Sequence, residues 1–150
     1  MEIRRWLITD LQAVEGLLRE LCDAIGMPYH GRADLLQHHF RVFEAMPQIY
    51  ANFVAVEGQD VVGFASVAFY GSVLHRKGTA LINELVVSRD HRGRGVGKAL
   101  LNHCVTLAER QGYDEVEVGV EPENREAIAF YKRNGVEKEC VLLGKEFDED

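Results

Sequence analysis

Arg92, Gly93, Arg94, Gly95, Val96, Gly97 and Lys98 follow one another in a chain of 150 residues whose formal net charge is −7. Cations and glycines interleaved in this way can hold an anion. Glycines let the backbone come close to a phosphate, and free backbone N–H groups then donate to its oxygens. Three phosphate-binding patterns can be set against the stretch. A Gly-x-x-x-x-Gly-Lys-Ser/Thr loop would end on Gly97-Lys98, but Arg92 stands at its first glycine and Ala99 at the hydroxyl that would hold magnesium. A Gly-x-Gly-x-x-Gly dinucleotide fingerprint starting at Gly93 would need its third glycine at Lys98. The pattern Arg/Gln-x-x-Gly-x-Gly/Ala is met in full by Arg92 to Gly97. The plain alternative is a glycine-rich turn with solvated arginines.

An anion loop of this kind needs a strand before it and a helix behind it. Leu81 to Val87 is an apolar run, Ser88 to His91 a polar corner, and Ala99 to Arg110 a helical pattern burying Leu100, Leu101, Cys104, Leu107 and Ala108 before Gly112 stops it. The first amides of such a helix have no acceptor within it and carry the positive end of its dipole. Glu115 to Val120 alternates as a strand. A strand–helix–strand crossover of this length implies that it runs parallel to the strand at Leu81–Val87. Asn124 is suited to cap a helix over Arg125–Arg133, which Asn134-Gly135 would end. Val136 onward reads as one or two last strands with a frayed tail, Phe147 to Asp150.

Upstream, Met1 to Leu7 reads as a first strand. Thr9 and Gln12 have the spacing of a capping box. A helix follows to Ile25, with Leu11, Val14, Leu17, Leu18, Leu21 and Ile25 on one stripe, ended by Gly26 and Pro28. A second helix, Ala33 to Ala45, carries Leu35, Leu36, Phe40 and Phe43 on one face. Ala51–Val56 and Val61–Tyr70 form strands around a four-residue loop, Glu57-Gly58-Gln59-Asp60. Gly71 to Gly78 is an exposed loop, and Thr79 to Val87 runs back antiparallel to its predecessor. These elements predict an α+β domain over residues 1–150, with a mixed, mostly antiparallel central sheet.

Composition narrows the partners. An excess of 24 acidic over 17 basic residues argues against a nucleic-acid surface and suits a cationic small molecule or basic peptide. No apolar run is long enough to span a membrane, and the N-terminus lacks the apolar core of a signal peptide. Cys22, Cys104 and Cys140 are odd in number and widely spaced, which suggests buried thiols in a reducing, cytoplasmic setting. No histidine pair has metal-ligand spacing with a third ligand nearby, so no metal is expected.

The loop from Arg92 to Gly97, preceded by Asn83-Glu84-Leu85-Val86-Val87, resembles the acetyl-coenzyme A pyrophosphate loop of the GNAT superfamily of N-acetyltransferases. A second block, Asn124 to Gly135, is similar to that family's fourth helix, where an asparagine opens the helix and Ala127-x-x-Phe130-Tyr131 follows. The two blocks span Thr79 to Gly135; Val136 departs from the usual phenylalanine, which touches packing alone.

The resemblance implies a fold with about four helices and a splayed parallel strand pair at the cofactor. It implies acetyl-CoA as acyl donor, its pantetheine arm paired with backbone groups near Leu85 and Val87, and its pyrophosphate on the amides of Arg92, Gly93, Arg94, Gly95, Val96, Gly97 and Lys98. Asn124 would touch the cofactor arm. A strand amide near Val86 or Val87 would polarise the acetyl carbonyl. Tyr131, a phenol of ordinary pKa ~10, would protonate a leaving thiolate of ~8.5. Glu84 would take the proton of an attacking primary amine, with Glu117 and Glu121 as fallback bases. The acceptor would be a small cationic molecule or a peptide, met in the helix-1/helix-2 region, where Tyr29, His30, His38, His39, Phe40 and Phe43 could line a pocket. Dimers are common in the family, so a homodimer stays open. A non-catalytic acyl-CoA-binding module of the same fold is the rival reading, and a P-loop phosphotransferase a weaker one.

Overall fold

A computed structural model describes residues 1–148. Strand β1 (Glu2–Arg5) leads through a 3-10 turn (Ile8–Asp10) into helices α1 (Leu11–Ile25) and α2 (Ala33–Glu44). Strands β2 (Tyr50–Glu57), β3 (Asp60–Tyr70) and β4 (Thr79–Val87) follow, then a 3-10 turn (Arg89–His91), helix α3 (Val96–Arg110), strand β5 (Glu115–Val118) and helix α4 (Arg125–Arg133). The five strands lie in sequence order in one sheet, antiparallel throughout except for the parallel pair β4–β5. This is the mixed, mostly antiparallel sheet that the crossover argument predicts.

Strand alternation sends one set of side chains to each face. Ala51, Phe53, Ala55, Ala65, Val67 and Ile82 pack under α3 with Val96, Leu100, Leu101 and Cys104. Trp6, Val54, Phe64 and Val86 pack under α1 and α2 with Leu11, Val14, Leu17 and Leu36. Gly63 lets α3 close on β3, since a Cβ there would come within 2.8 Å of the Leu100 Cδ1.

Several local expectations need correcting. The capping box of Thr9 and Gln12 does not open α1; the chain turns at Asp10 instead. Its buried carboxylate accepts the Leu7 N–H at 2.7 Å and both terminal nitrogens of Arg4 at 2.7 and 3.0 Å. An ionised acceptor with a guanidinium on the neighbouring strand outcompetes a hydroxyl. The β2–β3 hairpin closes on Gly58-Gln59, with Glu57 and Asp60 already paired. Leu35 is exposed, and only Leu36 of its helix is fully buried. Strand β5 stops at Val118. Cys104 is buried, but Cys22 is half-buried and Cys140 exposed, all three free.

The expected terminal strands are absent from residues 136–148. Val141, Leu142 and Leu143 form a run without polar alternation and stand exposed, so nothing gives that segment one face to bury. The predicted fraying of Phe147–Asp150 concerns in part Glu149 and Asp150, which lie outside the described residues. Among the described residues no helix is long and apolar enough to cross a membrane.

Candidate functional site

Strands β4 and β5 pair only from Thr79 with Glu115 to Ile82 with Val118. At the next residue β4 carries a bulge against β3: Val67 pairs with Ile82 and Ser66 with Glu84, leaving Asn83 extra. A bulge bends its strand and increases its twist, and beyond it β4 has a neighbour on one side only. The Ser88 N–H donates to Val62 O at 2.8 Å. By the alternation of an antiparallel ladder, Val86 and Glu84 then direct their backbone groups at β3, while those of Leu85 and Val87 face the opening. The guanidinium of Arg92 donates from Nε to the Val87 carbonyl at 3.2 Å. Apart from that carbonyl, the row keeps free N–H and C=O groups, a template for an extended ligand bearing amides.

The glycine loop stands at the far end of that row. Gly95 caps α3 with φ +84°, a conformation that L side chains rarely adopt, and no side chain caps the helix. The first helical bond runs from Ala99 N–H to Gly95 O at 3.0 Å, so the amides of Val96, Gly97 and Lys98 have no acceptor within the helix. Val96 is buried and anchors the turn, and Arg92, Arg94 and Lys98 are exposed around it. At Gly97 an added Cβ would sit 3.5 Å from both Val87 Cγ2 and the Phe130 ring, between β4 and α4. Free amides, a helix dipole and three cations give this corner beside the strand opening the chemistry to hold an anion.

Helix α4 forms the opposite wall. Asn124 caps it, its Oδ1 accepting the Ala127 N–H at 3.2 Å. Tyr131 lies against Phe130, ring centroids 5.2 Å apart, and is buried. Burial, with the Cys104 sulfur nearby, pushes its phenol up to about 12. Burial likewise pushes the Cys104 thiol up to about 12. The residue type alone suggests the ordinary phenol value of ~10; in the fold Tyr131 keeps its proton more tightly, because burial strips a phenolate of solvation.

Glu84 points the other way, into a cavity of about 210 Å³ under α1 and α2. Burial raises its pKa above the usual carboxylate range, and a hydrogen bond with the Ser66 side chain works against that rise. Register aligns Asn52 with Ser66 and Ser66 with Glu84, and the Trp6 N–H donates to Asn52 O at 3.1 Å. Asn52, Ser66 and Glu84 therefore form one row across β2, β3 and β4, extended by Trp6 just past the end of β1, all lining the cavity. Its roof comes from Leu18, Leu36, His39 and Phe43. Of the expected pocket residues, His39 and Phe43 take part; Tyr29, His30, His38 and Phe40 do not line it. Tyr29 instead lies under the Arg19 guanidinium, 4.5 Å from its ring centroid.

Sequence reasoning misses Trp6, Tyr50, Asn52 and Ser66. The one signal that points to them is Asn52, a polar residue at an inward position of an apolar alternating strand. The fallback carboxylates lie elsewhere: Glu117 accepts the Tyr70 hydroxyl at 2.9 Å on β5, and Glu121 is exposed beyond it. Among the described residues no three His, Cys, Asp or Glu side chains gather as metal ligands. The arrangement thus joins an anion site, an amide-binding slot and a phenol on one side of the parting strands to a carboxylate-floored pocket on the other.

The chain is similar to proteins already described. A model of the acetyltransferase (GNAT) family matches residues 15–136. An N-acetyltransferase of Methanocaldococcus jannaschii is 39% identical over 89 residues, 59% of this chain and 39% of that protein. The streptothricin acetyltransferase of Streptomyces lavendulae is 34% identical over 84 residues, 55% of this chain and 42% of that protein. Each match thus spans about two-fifths of the relative's own length. The glucosamine-6-phosphate N-acetyltransferase of Arabidopsis thaliana has the same fold, with a TM-score of 0.83 at 20% identity over 98% of both chains. So does the acetyltransferase AAC(6')-Iy, solved with the bisubstrate analogue CoA-S-monomethyl-acetylneamine, with a TM-score of 0.80 at 22% identity over 98% of both chains.

Proposed function

The chain belongs to the acetyltransferase (GNAT) family, whose co-substrate is acetyl-CoA, and from that premise we propose that residues 1–150 act as one N-acetyltransferase domain, moving an acetyl group directly to a primary amine of a small molecule or peptide. The observation that carries this reading is the parting of β4 from β5 at the Asn83 bulge, beside the uncapped amides of α3. The pyrophosphate lies on the amides of Arg92 to Lys98, with Arg92, Arg94 and Lys98 balancing its charge. The pantetheine arm takes the place of a strand along Leu85 and Val87, with Asn124 at its far side.

Each step then falls to a named group. Glu84, directly or through water, accepts a proton from the ammonium. The amine nitrogen attacks the thioester carbon, and a backbone N–H facing the opening, that of Leu85 or Val87, receives the oxyanion; the Val86 amide faces β3. The C–S bond breaks, the departing thiolate takes the Tyr131 proton, and the second proton that the new amide nitrogen must shed returns through water to the Tyr131 oxygen. With the phenol pushed up to about 12, the transfer to sulfur proceeds as negative charge gathers there in the same poorly solvated place. The three free cysteines fit a reducing, cytoplasmic setting.

Isothermal titration with acetyl-CoA, with ATP as control, tests the reading. Micromolar binding of acetyl-CoA, lost in Gly95→Glu, is expected, together with thiol release when an amine is supplied. Binding of acetyl-CoA with no amine-dependent thiol release would favour the non-catalytic module. Absence of binding would reduce the loop to a turn.

A further inference from the structure

Asn52 lies in the middle of the pocket row, 1% exposed, and neither its Oδ1 nor its Nδ2 has a partner among the described residues. A buried carboxamide with both ends unpaired is costly unless something comes to it. It lines the same cavity as Glu84, two strands away, at a lateral distance of about 10 Å given strands ~4.8 Å apart. The space between is walled mostly by apolar and aromatic groups, Trp6, Phe43, Tyr50 and Phe64 with Leu18 and Leu36, alongside Ser66 between the two and His39 in the roof. The Trp6 indole N–H is already taken by Glu44 Oε1 at 2.7 Å, and Phe43 and Tyr50 stack at 4.2 Å, so Trp6 and Phe43 offer faces and edges, while Tyr50 adds a hydroxyl to its ring face.

We infer that the acceptor is a monoamine carried on a flat apolar body that ends in one neutral hydrogen-bonding group, with the amine at Glu84 and the terminal group at Asn52. This rests on the N-acetyltransferase reading and deepens it. Size agrees: the cavity of about 210 Å³ exceeds the ~150 Å³ that accepts benzene, leaving room for a short aminoalkyl arm. Charge agrees as well. Among the described residues Glu84 is the only carboxylate lining the cavity. A second ammonium would have to sit among aromatic walls without an anion, and Asn52 would meet it with an N–H donor at one end. A neutral hydroxyl both donates to Oδ1 and accepts from Nδ2, using both ends. The residue reads the substrate by hydrogen bonding and takes no part in the proton transfers.

Three amines separate the possibilities: 4-(2-aminoethyl)phenol, 2-phenylethylamine and spermidine, each assayed with acetyl-CoA by thiol release. In the wild type kcat/KM should be highest for the phenol, by roughly 10- to 100-fold over 2-phenylethylamine, with spermidine below both. In Asn52→Leu the first two should converge while 2-phenylethylamine is still acetylated. Trp6 is the only tryptophan of the chain, so its emission, selectively excited at the red edge of protein absorption, reports pocket occupancy without turnover and should respond to the phenol. Titration of each variant with acetyl-CoA shows that it is folded, and Asn52→Ser, which keeps a hydroxyl, should retain part of the preference.

A preference for spermidine, or an Asn52→Leu ratio equal to that of the wild type, overturns the inference and leaves the acetyltransferase reading standing. Failure of the wild type to bind acetyl-CoA overturns both. Acetyl-CoA binding with neither acetylation of the phenol nor a Trp6 response overturns this inference alone.

Discussion

Replacing Glu84 by glutamine should move activity and stability in opposite directions. The carboxyl is half-buried on the pocket face of β4, held above its ordinary pKa by burial against the opposing bond with Ser66. Among the described residues no cation forms an ion pair with it. A folded-state pKa above the unfolded one means that the folded chain holds this proton longer. The group then costs nothing below the ordinary carboxylate range, lowers stability as pH rises from there to the raised value, and keeps it lowered above. Glutamine preserves the volume and can still bond Ser66, and it has no charge to desolvate. Glu84→Gln should therefore melt higher than wild type at neutral pH, and the two should converge in acid.

Activity should fall at the same time. A general base contributes on the order of 10²–10⁴ in rate, about 3–5 kcal/mol of barrier at ~1.4 kcal/mol per tenfold. The deficit should shrink at alkaline pH, where an amine of ordinary pKa ~10 sheds its own proton. The assay is kcat/KM by thiol release across pH, beside thermal unfolding of both proteins in the same buffers. Parallel pH–rate profiles would remove Glu84 from the role of base. An equal pH dependence of melting in the two proteins would refute the argument from burial.

Tyr131→Phe should leave thermal unfolding nearly unchanged and lower turnover by roughly 100-fold, at the low end of what a general acid supplies. With the phenol pushed up to about 12, the wild-type rate should show no alkaline decline due to this residue until the pH nears that value, which a pH–rate profile of both proteins checks. Asp10→Ala breaks the pairing with Arg4 and frees the Leu7 N–H. The loss should be about 2–3 kcal/mol, a fall in melting temperature of roughly 4–12 °C. The hydrogen bonds from Arg4 hold the Asp10 carboxyl below its ordinary pKa. Its contribution is thus present above the unfolded value and is lost as pH falls through the folded one, so melting curves should converge at low pH.

The parts of the site written in local pattern are legible in the amino-acid sequence alone. Gly93, Gly95 and Gly97 between cations, an apolar strand ahead and a periodic helix behind are neighbours in the chain. Asn124 and Gly135 announce the ends of α4 by capping chemistry that acts within a few residues. The pocket is not legible in this way, because Trp6, Asn52, Ser66 and Glu84 meet only through strand register, and the chain separates the first from the last by two whole helices and two whole strands. The raised pKa of Tyr131 escapes for the same reason: burial under α3 beside Cys104 is a tertiary fact. At Thr9 the local pattern is present but loses to Arg4, a partner on another element. At Val141 to Leu143 apolar residues suggest a strand, but their run lacks the alternation that would turn one face inward.

Asn83 matters chiefly by being counted. Ile82 and Glu84 face opposite layers of the sheet with Asn83 between them, and an alternating chain without it would leave both where they are. What would disappear is the surplus length that turns β4 aside, and with it the gap between β4 and β5 that opens toward both faces of the sheet. On the proposed reading, the working space is in this sense an excess of one residue in one strand over its neighbour. Position 83 should tolerate many identities and no deletion, so a gap there in an otherwise well-conserved relative would mark a protein that kept the architecture and gave up the cofactor.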